Sequence, residues 1–186
     1  AEVTVLDMSP RRIRELETLL DRRARVLMSN PAVVEEELAQ ADVVIGAVLV
    51  PGRAAPKVVR HEHLELLRKD ALLIDVAIDQ GGAFETSHPT TYEDPIFEVD
   101  GIRHYCVANM PGAVPQTATS ALTNATMPYI KKIAALGAEH AVESDPSIAK
   151  GVNTWSGRLL QPGVAAAFPD LGTPSANDAT AVPLGV

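Results

Sequence analysis

The 186 residues carry 16 basic and 24 acidic side chains, a formal net charge of −8 with no basic block, so a nucleic-acid surface is not expected. No uninterrupted apolar run is long enough to cross a bilayer, so no membrane span is expected. The single cysteine, Cys106, excludes an internal disulfide and favours a reducing compartment, and the length suits one domain with an appendage.

Glu2 to Asp7 reads as a β-strand ending in an acid. A strand-terminal Asp holds ribose hydroxyls in many dinucleotide-binding folds, where a glycine-rich turn lies about 20 residues earlier. Only six residues precede Asp7, and there is no initiator Met, so the sequence is read as starting inside a domain. An exposed acid at a strand end is the commoner reading of Asp7 taken alone. The next helix opens with Ser9 as N-cap and Pro10 at N1, and aligns Ile13, Leu16, Leu19 and Leu20 on one stripe. A strand over Ala24 to Met28 follows, then a helix that repeats the device with Asn30 and Pro31. Val33, Val34 and Leu38 give that helix an apolar face, and Glu35 to Glu37 load its first turns with charge the helix dipole favours.

Asp42 to Val50 is apolar apart from Gly46 after its first residue, which predicts a central parallel strand covered on both faces and ended by Pro51-Gly52. A third helix is expected around His61 to Arg68, with Leu64, Leu67 and Val58 or Val59 inward and His61 and His63 at the surface. It leads to the strand Leu72 to Ile78, interrupted only by Asp75, which delivers Asp79 into the turn Gln80-Gly81-Gly82. Strands separated by helix-length segments imply right-handed crossovers and a Rossmann-like, doubly wound parallel sheet. Ligands in such sheets bind beyond the carboxyl ends of the strands, here Asp7, Ser29, the Val48 region and Asp79. A strand ending in an ordinary solvated turn would leave the same Asp-Gln-Gly-Gly.

Phe84 to Pro95 is loop chemistry, rich in Thr, Ser and Pro. Ile96 to Val99 and Ile102 to Tyr105 flank Asp100-Gly101, the strongest hairpin signal in the chain, and the second arm can run on through Ala108 to Asn109-Met110-Pro111-Gly112. Asn109 suits a ligand contact or a turn cap equally. Helical spacing resumes from Thr117 to Leu136, kinked at Pro128 and stopped at Gly137, and another helix starts after Asp145-Pro146. From Gln161 onward Pro, Gly, Ala, Ser and Thr dominate, which reads as a loosely ordered tail. His104 and Cys106 are two apart on a strand, but two ligands make no metal site, and Cys106 reads as a buried, inert thiol.

Three stretches together resemble bacterial alanine dehydrogenases: Asp42 to Gly52, Asp75 to Gly82, and Tyr105 to Pro111, joined by Ala121 to Tyr129. The resemblance runs from the first residues to about Leu160. It implies NAD-linked oxidative deamination of L-alanine to pyruvate and ammonia, in amino-acid catabolism, by a cytoplasmic homohexamer. Carried over by position, Asp79 is the catalytic aspartate and Asp7 holds the adenosine ribose, with Arg12 and Ser29 near the adenine. Val48 and Leu49 line the cofactor cleft, Val76, Ala77, Ile78 and Asp79 lie along the nicotinamide half, and Val107, Ala108, Asn109 and Met110 close its other side.

His88 stands where relatives often have an Arg near the cofactor, and Ala83 where many have a Cys. The domains implied are residues 1–116 as an NAD-binding domain lacking its first strand and glycine-rich loop, 117–160 as a connector helix with the end of the substrate domain, and 161–186 as the tail. The family's N-terminal half supplies its catalytic His, its substrate-binding Arg and Lys and its glycine-rich loop, so these 186 residues alone are expected to be inactive. Two alternatives stand beside this reading. The first is the nucleotide-binding subunit of proton-translocating transhydrogenase, which tends to carry Glu-Asn-Gly-Gly at the turn. The second is a catalytically dead fragment.

Overall fold

The computed structural model describes residues 1–171. They fall into two units, the first formed by Ala1–Leu49 and Ala55–Ala108, the second by Val50–Ala54 and the chain from Asn109 on.

The first unit is α/β and dominated by parallel pairing. It opens with β1 (Thr4–Asp7), α1 (Pro10–Leu20), β2 (Arg25–Met28), α2 (Pro31–Leu38) and β3 (Val43–Gly46). Both helices start where capping chemistry dictates: Ser9 Oγ accepts from Arg12 N at 3.3 Å and Asn30 Oδ1 from Val33 N at 3.0 Å, each with Pro next in sequence. Then come β4 (Leu72–Asp75), β5 (Ile96–Val99) and β6 (Ile102–Tyr105). β1 pairs in parallel with β2, and a second set has the order β3-β4-β6-β5, parallel except for the β5–β6 hairpin. That hairpin turns at Asp100 and Gly101, both with positive φ (51° and 80°), as an Asp-Gly turn requires. Both sets of strands rest on one core of Val34, Leu38, Val59, Leu64, Leu73, Phe84 and Ile102 among others, against which Leu6 of β1 and Val44 of β3 pack.

Four expectations are corrected in this unit. The strand expected over Asp42 to Val50 is only four residues long and lies at a sheet edge, with Val43 51% and Ile45 62% exposed. A central strand needs partners on both edges, and among the described residues β3 has only β4. The expected third α-helix is a 3-10 turn, His61–Leu66, although it buries Leu64 and Leu67 as its pattern demanded. His63 is buried rather than at the surface, because its Nδ1 accepts from Arg60 N at 3.2 Å, whereas His61 is exposed and pairs with Asp100 at 2.7 Å. The strand into the glycine turn stops at Asp75 instead of Ile78: the Asp75 side chain takes the Ala77 amide (3.1 Å) and bends the chain into a 3-10 turn over Ile78–Gln80.

In the second unit, α3 (Pro115–Ser144) contains Pro128 and breaks at Gly137 (φ 78°, ψ 163°), the expected stop, after which helix resumes to Ser144. Leu122, Tyr129, Ile130 and Ile133 along it are exposed. α4 (Pro146–Lys150) is capped by Asp145, whose Oδ1 accepts from Ser147 N at 2.8 Å while Oδ2 pairs with Lys132 at 3.0 Å. A small core of Ala141, Val142 and Ile148 underlies this corner, followed by the short β7–β8 hairpin (Thr154–Trp155 and Arg158–Leu159). The composition after Gln161 reads as loose tail, yet α5 (Pro162–Ala167) forms there because Gln161 Oε1 caps it, accepting from Val164 N at 2.8 Å. The rest of that expected tail, 172–186, lies outside the described residues.

Candidate functional site

Asp79 sits exposed on the 3-10 turn directly after β4, between the buried Ile78 and the half-buried Gln80. The turn is anchored from below. Asp75 is fully buried, and its Oδ2 accepts from Ala83 N (2.8 Å), Phe84 N (3.2 Å) and Ser87 Oγ (2.6 Å) while Oδ1 takes Ala77 N. A buried carboxylate is tolerated when its lone pairs are filled in this way. The chain can close around it because Gly81 and Gly82 adopt φ of 88° and 80°, and a Cβ on Gly82 would lie 2.9 Å from Asp75 Oδ2. On another side Lys57 Nζ donates to the carbonyls of Gly81, Gly82 (2.8 Å) and Phe84 (3.2 Å). Val76 N and Ala77 N reach Gly46 O at 2.8 and 3.3 Å, tying the start of the turn to the end of β3. There Gly46 has no room for a Cβ, which would fall 2.8 Å from Phe84 Cζ and 3.0 Å from the buried Ala83.

A second polar edge lies at the carboxyl ends of β1 and β2. Asp7 Oδ1 accepts from Ser9 N at 2.7 Å, and Ser29 N donates to Asp7 O at 2.9 Å, so Asp7 and Ser29 are adjacent. Arg12, one turn into α1, is exposed and pairs with Glu15 at 3.2 Å. Asp7 is thus half-buried rather than simply an exposed acid at a strand end, with Oδ1 capping the turn into α1 and Oδ2 unbonded among the described residues.

Beyond the glycine turn, His88 is exposed and its ring lies on Phe97, centroids 3.6 Å apart, with His104 on the ring's neighbouring side at 4.9 Å. His104 is fully buried, its Nδ1 facing Ile102 O (2.9 Å) and its Nε2 facing Thr86 Oγ1 (2.8 Å); burial holds its pKa below the ordinary imidazole value. Burial likewise pushes the Cys106 thiol up, and its Sγ lies 3.6 Å from Ser87 Oγ. No group of His, Cys, Asp and Glu able to hold a metal occurs among the described residues.

The residues singled out from the sequence therefore fall into small sets. Asp7, Arg12 and Ser29 surround the end of β1. Val76 to Asp79 form the turn beside Gly46, with half-buried Val48 and the 65% exposed Leu49 shortly after it in sequence. Val107 is buried and bridges to Thr90, whose carbonyl accepts from Ala108 N at 3.2 Å. Asn109, with a left-handed backbone (φ 54°), and Met110 belong to the second unit. Sequence reasoning passed over Asp75 as a mere interruption and did not consider Lys57. An acid inside an otherwise apolar strand was a usable signal, since buried carboxylates must gather donors; nothing in sequence pointed to Lys57, which lies 24 residues from Gly81.

A sequence model of the family described as "Alanine dehydrogenase/PNT, C-terminal domain" matches residues 1–162. The alanine dehydrogenase of Halomonas elongata is 50% identical over 171 residues, covering 90% of this chain and 45% of the relative. That of Staphylococcus saprophyticus is 46% identical over 169 residues, covering 90% of this chain and 46% of the relative. A solved L-alanine dehydrogenase superposes with TM-score 0.78 at 49% identity, over 92% of this chain and 47% of that one. A transhydrogenase from Sinorhizobium meliloti is more distant, with TM-score 0.55 at 29% identity over 63% of this chain and 33% of its own. This chain thus spans about half the length of the curated relatives it matches. With a family match over most of its length and an exposed aspartate on the glycine turn, the chain belongs to the alanine dehydrogenase/PNT C-terminal domain family.

Proposed function

We propose that this chain is the nucleotide-binding part of an NAD-dependent alanine dehydrogenase, which converts L-alanine, NAD and water to pyruvate, ammonium, NADH and a proton. The observation that carries this reading is 46 to 50% identity to alanine dehydrogenases across nine-tenths of the chain. The turn reads Asp79-Gln80-Gly81-Gly82, and the transhydrogenase likeness is weaker, which favours the dehydrogenase over the transport-coupled alternative. The residues fit a dinucleotide: Asp7 keeps a carboxylate oxygen without a described partner for ribose hydroxyls, with Ser29 beside it, and Val76 and Leu49 offer exposed apolar surface for a planar ring. Arg12 adds charge near the adenine end, His88 stands nearer the loop, and Val107 and Ala108 follow β6 in the same unit.

NAD, when bound, supplies the hydride acceptor. Asp79 does the proton work: its carboxylate takes a proton from the water that attacks the imine of the oxidised substrate and returns one to the departing amine. The glycines let the backbone approach the ligand at that point. The substrate carboxylate needs cations to hold it, which the remainder of the protein supplies. The edges of β1 and β3 that are unpaired among the described residues rest on one core and suit a further parallel strand leading into a glycine-rich phosphate turn. In this arrangement residues 1–116 form the nucleotide domain and 117–160 belong to the substrate domain, with α5 following. The 186 residues alone do not turn over alanine. The complete protein works in the cytoplasm as a homohexamer; no described helix is long and apolar enough to cross a membrane.

The test is isotopic. The full-length protein, given α-deuterated L-alanine and NAD, should form deuterated NADH. Alanine-independent transfer of hydride between nicotinamide nucleotides, with no pyruvate formed, would favour the transhydrogenase reading instead.

A further inference from the structure

Asp79 is exposed, and its own carboxylate has no described hydrogen bond that would fix it, so its position depends on the backbone of the turn. Two charged side chains hold that backbone from opposite chemical ends. Asp75 collects the N–H groups of Ala77, Ala83 and Phe84 and the Ser87 hydroxyl, while Lys57 collects the carbonyls of Gly81, Gly82 and Phe84. Phe84 is gripped by both, through its N–H to Asp75 and its carbonyl to Lys57. Charge-assisted bonds of this kind are about twice as strong as neutral ones. The rest of the turn closes on itself, with Gln80 N and Gly82 N both donating to Ala77 O at 2.9 and 3.0 Å.

We propose that Asp75 and Lys57 are positioning residues for Asp79, a buried anion and a surface cation that lock the Ala77–Ser87 turn in one geometry and so fix where the exposed carboxylate meets its substrate. The assignment rests on the reading of Asp79 as the proton-transferring group. It predicts a kinetic pattern that simple stabilisation does not. Misplacing a reacting group by about 1 Å costs on the order of 100-fold in rate, whereas binding made by other parts of the protein is unaffected.

The test uses the full-length protein and three variants, Lys57→Met, Asp75→Asn and Asp79→Asn. Lys57 is exposed, so Lys57→Met folds even if Asp75→Asn does not. Lys57→Met should lower kcat roughly 10- to 100-fold with the KM for L-alanine little changed, and Lys57→Arg should restore part of the loss. In the Asp79→Asn background, Lys57→Met should cost no further turnover, because residues acting through one group are not additive. Hydrogen exchange at the amides of Ala83 and Phe84 should rise in Lys57→Met and Asp75→Asn while α1 keeps its protection. An equal fold-loss from Lys57→Met with and without Asp79, or unchanged exchange in the turn, overturns the proposal. If the unaltered protein forms no NADH from alanine, the functional reading fails by itself; the exchange arm then decides whether the two residues hold the turn.

Discussion

Gly82→Ala and Gly101→Ala form a matched pair that measures the packing beneath the turn. Both glycines have φ of +80°, so an alanine at either meets the same left-handed backbone penalty, about 1 kcal/mol, and the same gain from a stiffer unfolded chain. Their surroundings differ. Around Gly101 nothing lies within 4 Å of a new Cβ, whereas at Gly82 it would sit 2.9 Å from Asp75 Oδ2, 3.0 Å from Ser87 Cβ and 3.5 Å from Ile78 Cδ1. Asp75 cannot retreat, since its oxygens are held by four donors and it is fully buried. Relief therefore requires giving up at least one bond to the charged acceptor, about 1.5–3 kcal/mol. Gly82→Ala should then lose about 2.5–4 kcal/mol of stability against about 1 kcal/mol for Gly101→Ala. Urea unfolding followed by circular dichroism measures both, and comparable slopes confirm that the same transition is compared. Losses within about 0.5 kcal/mol of each other would refute the claim that the turn is packed against the Asp75 carboxylate.

His104 provides a pH test. Burial lowers its pKa in the folded protein, so the unfolded chain binds a proton more readily; the stability it contributes is complete above the unfolded value of about 6.5 and is lost as pH falls through that value toward the folded one. The slope attributable to this residue is bounded by the one-proton limit of about 1.4 kcal/mol per pH unit, and His104→Gln should remove it from the pH dependence of urea unfolding. Cys106, buried with its pKa raised, should resist alkylation by iodoacetamide at mildly alkaline pH in the native protein and react rapidly once unfolded. His88→Arg keeps a planar group on Phe97 and adds a permanent charge beside the proposed cofactor site; it should tighten NADH binding by up to about tenfold, measured by fluorescence titration.

Much of the first unit was legible because its signals are local. Ser9-Pro10 and Asn30-Pro31 start helices through bonds that span three residues, and Asp100-Gly101 makes a hairpin from the backbone freedom of two. Parallel pairing followed from the alternation of strands and helices. Features set by distant partners were harder to read. The burial of His63 depends on a turn that is 3-10 rather than α, and the edge position of β3, paired only with β4 among the described residues, could not be read from its own apolar run, which does not encode its partners. The aspartate recognised at the site, Asp79, stands out beside two glycines, but the groups that hold its turn do not. Asp75 looks like a blemish in a strand, and Lys57 reaches across 24 to 27 residues to carbonyls whose location only the fold determines.

Asp79 is proposed to transfer protons in the deamination of L-alanine. The most direct test of that role is NADH formation from L-alanine and NAD by the full-length protein and by its Asp79→Asn variant, with NADH affinity measured in parallel. The unaltered protein should form NADH in an alanine-dependent way, and Asp79→Asn should lose roughly 100-fold or more of that turnover with NADH affinity retained. Undiminished turnover by Asp79→Asn, or no alanine-dependent NADH from the unaltered protein, would contradict that role.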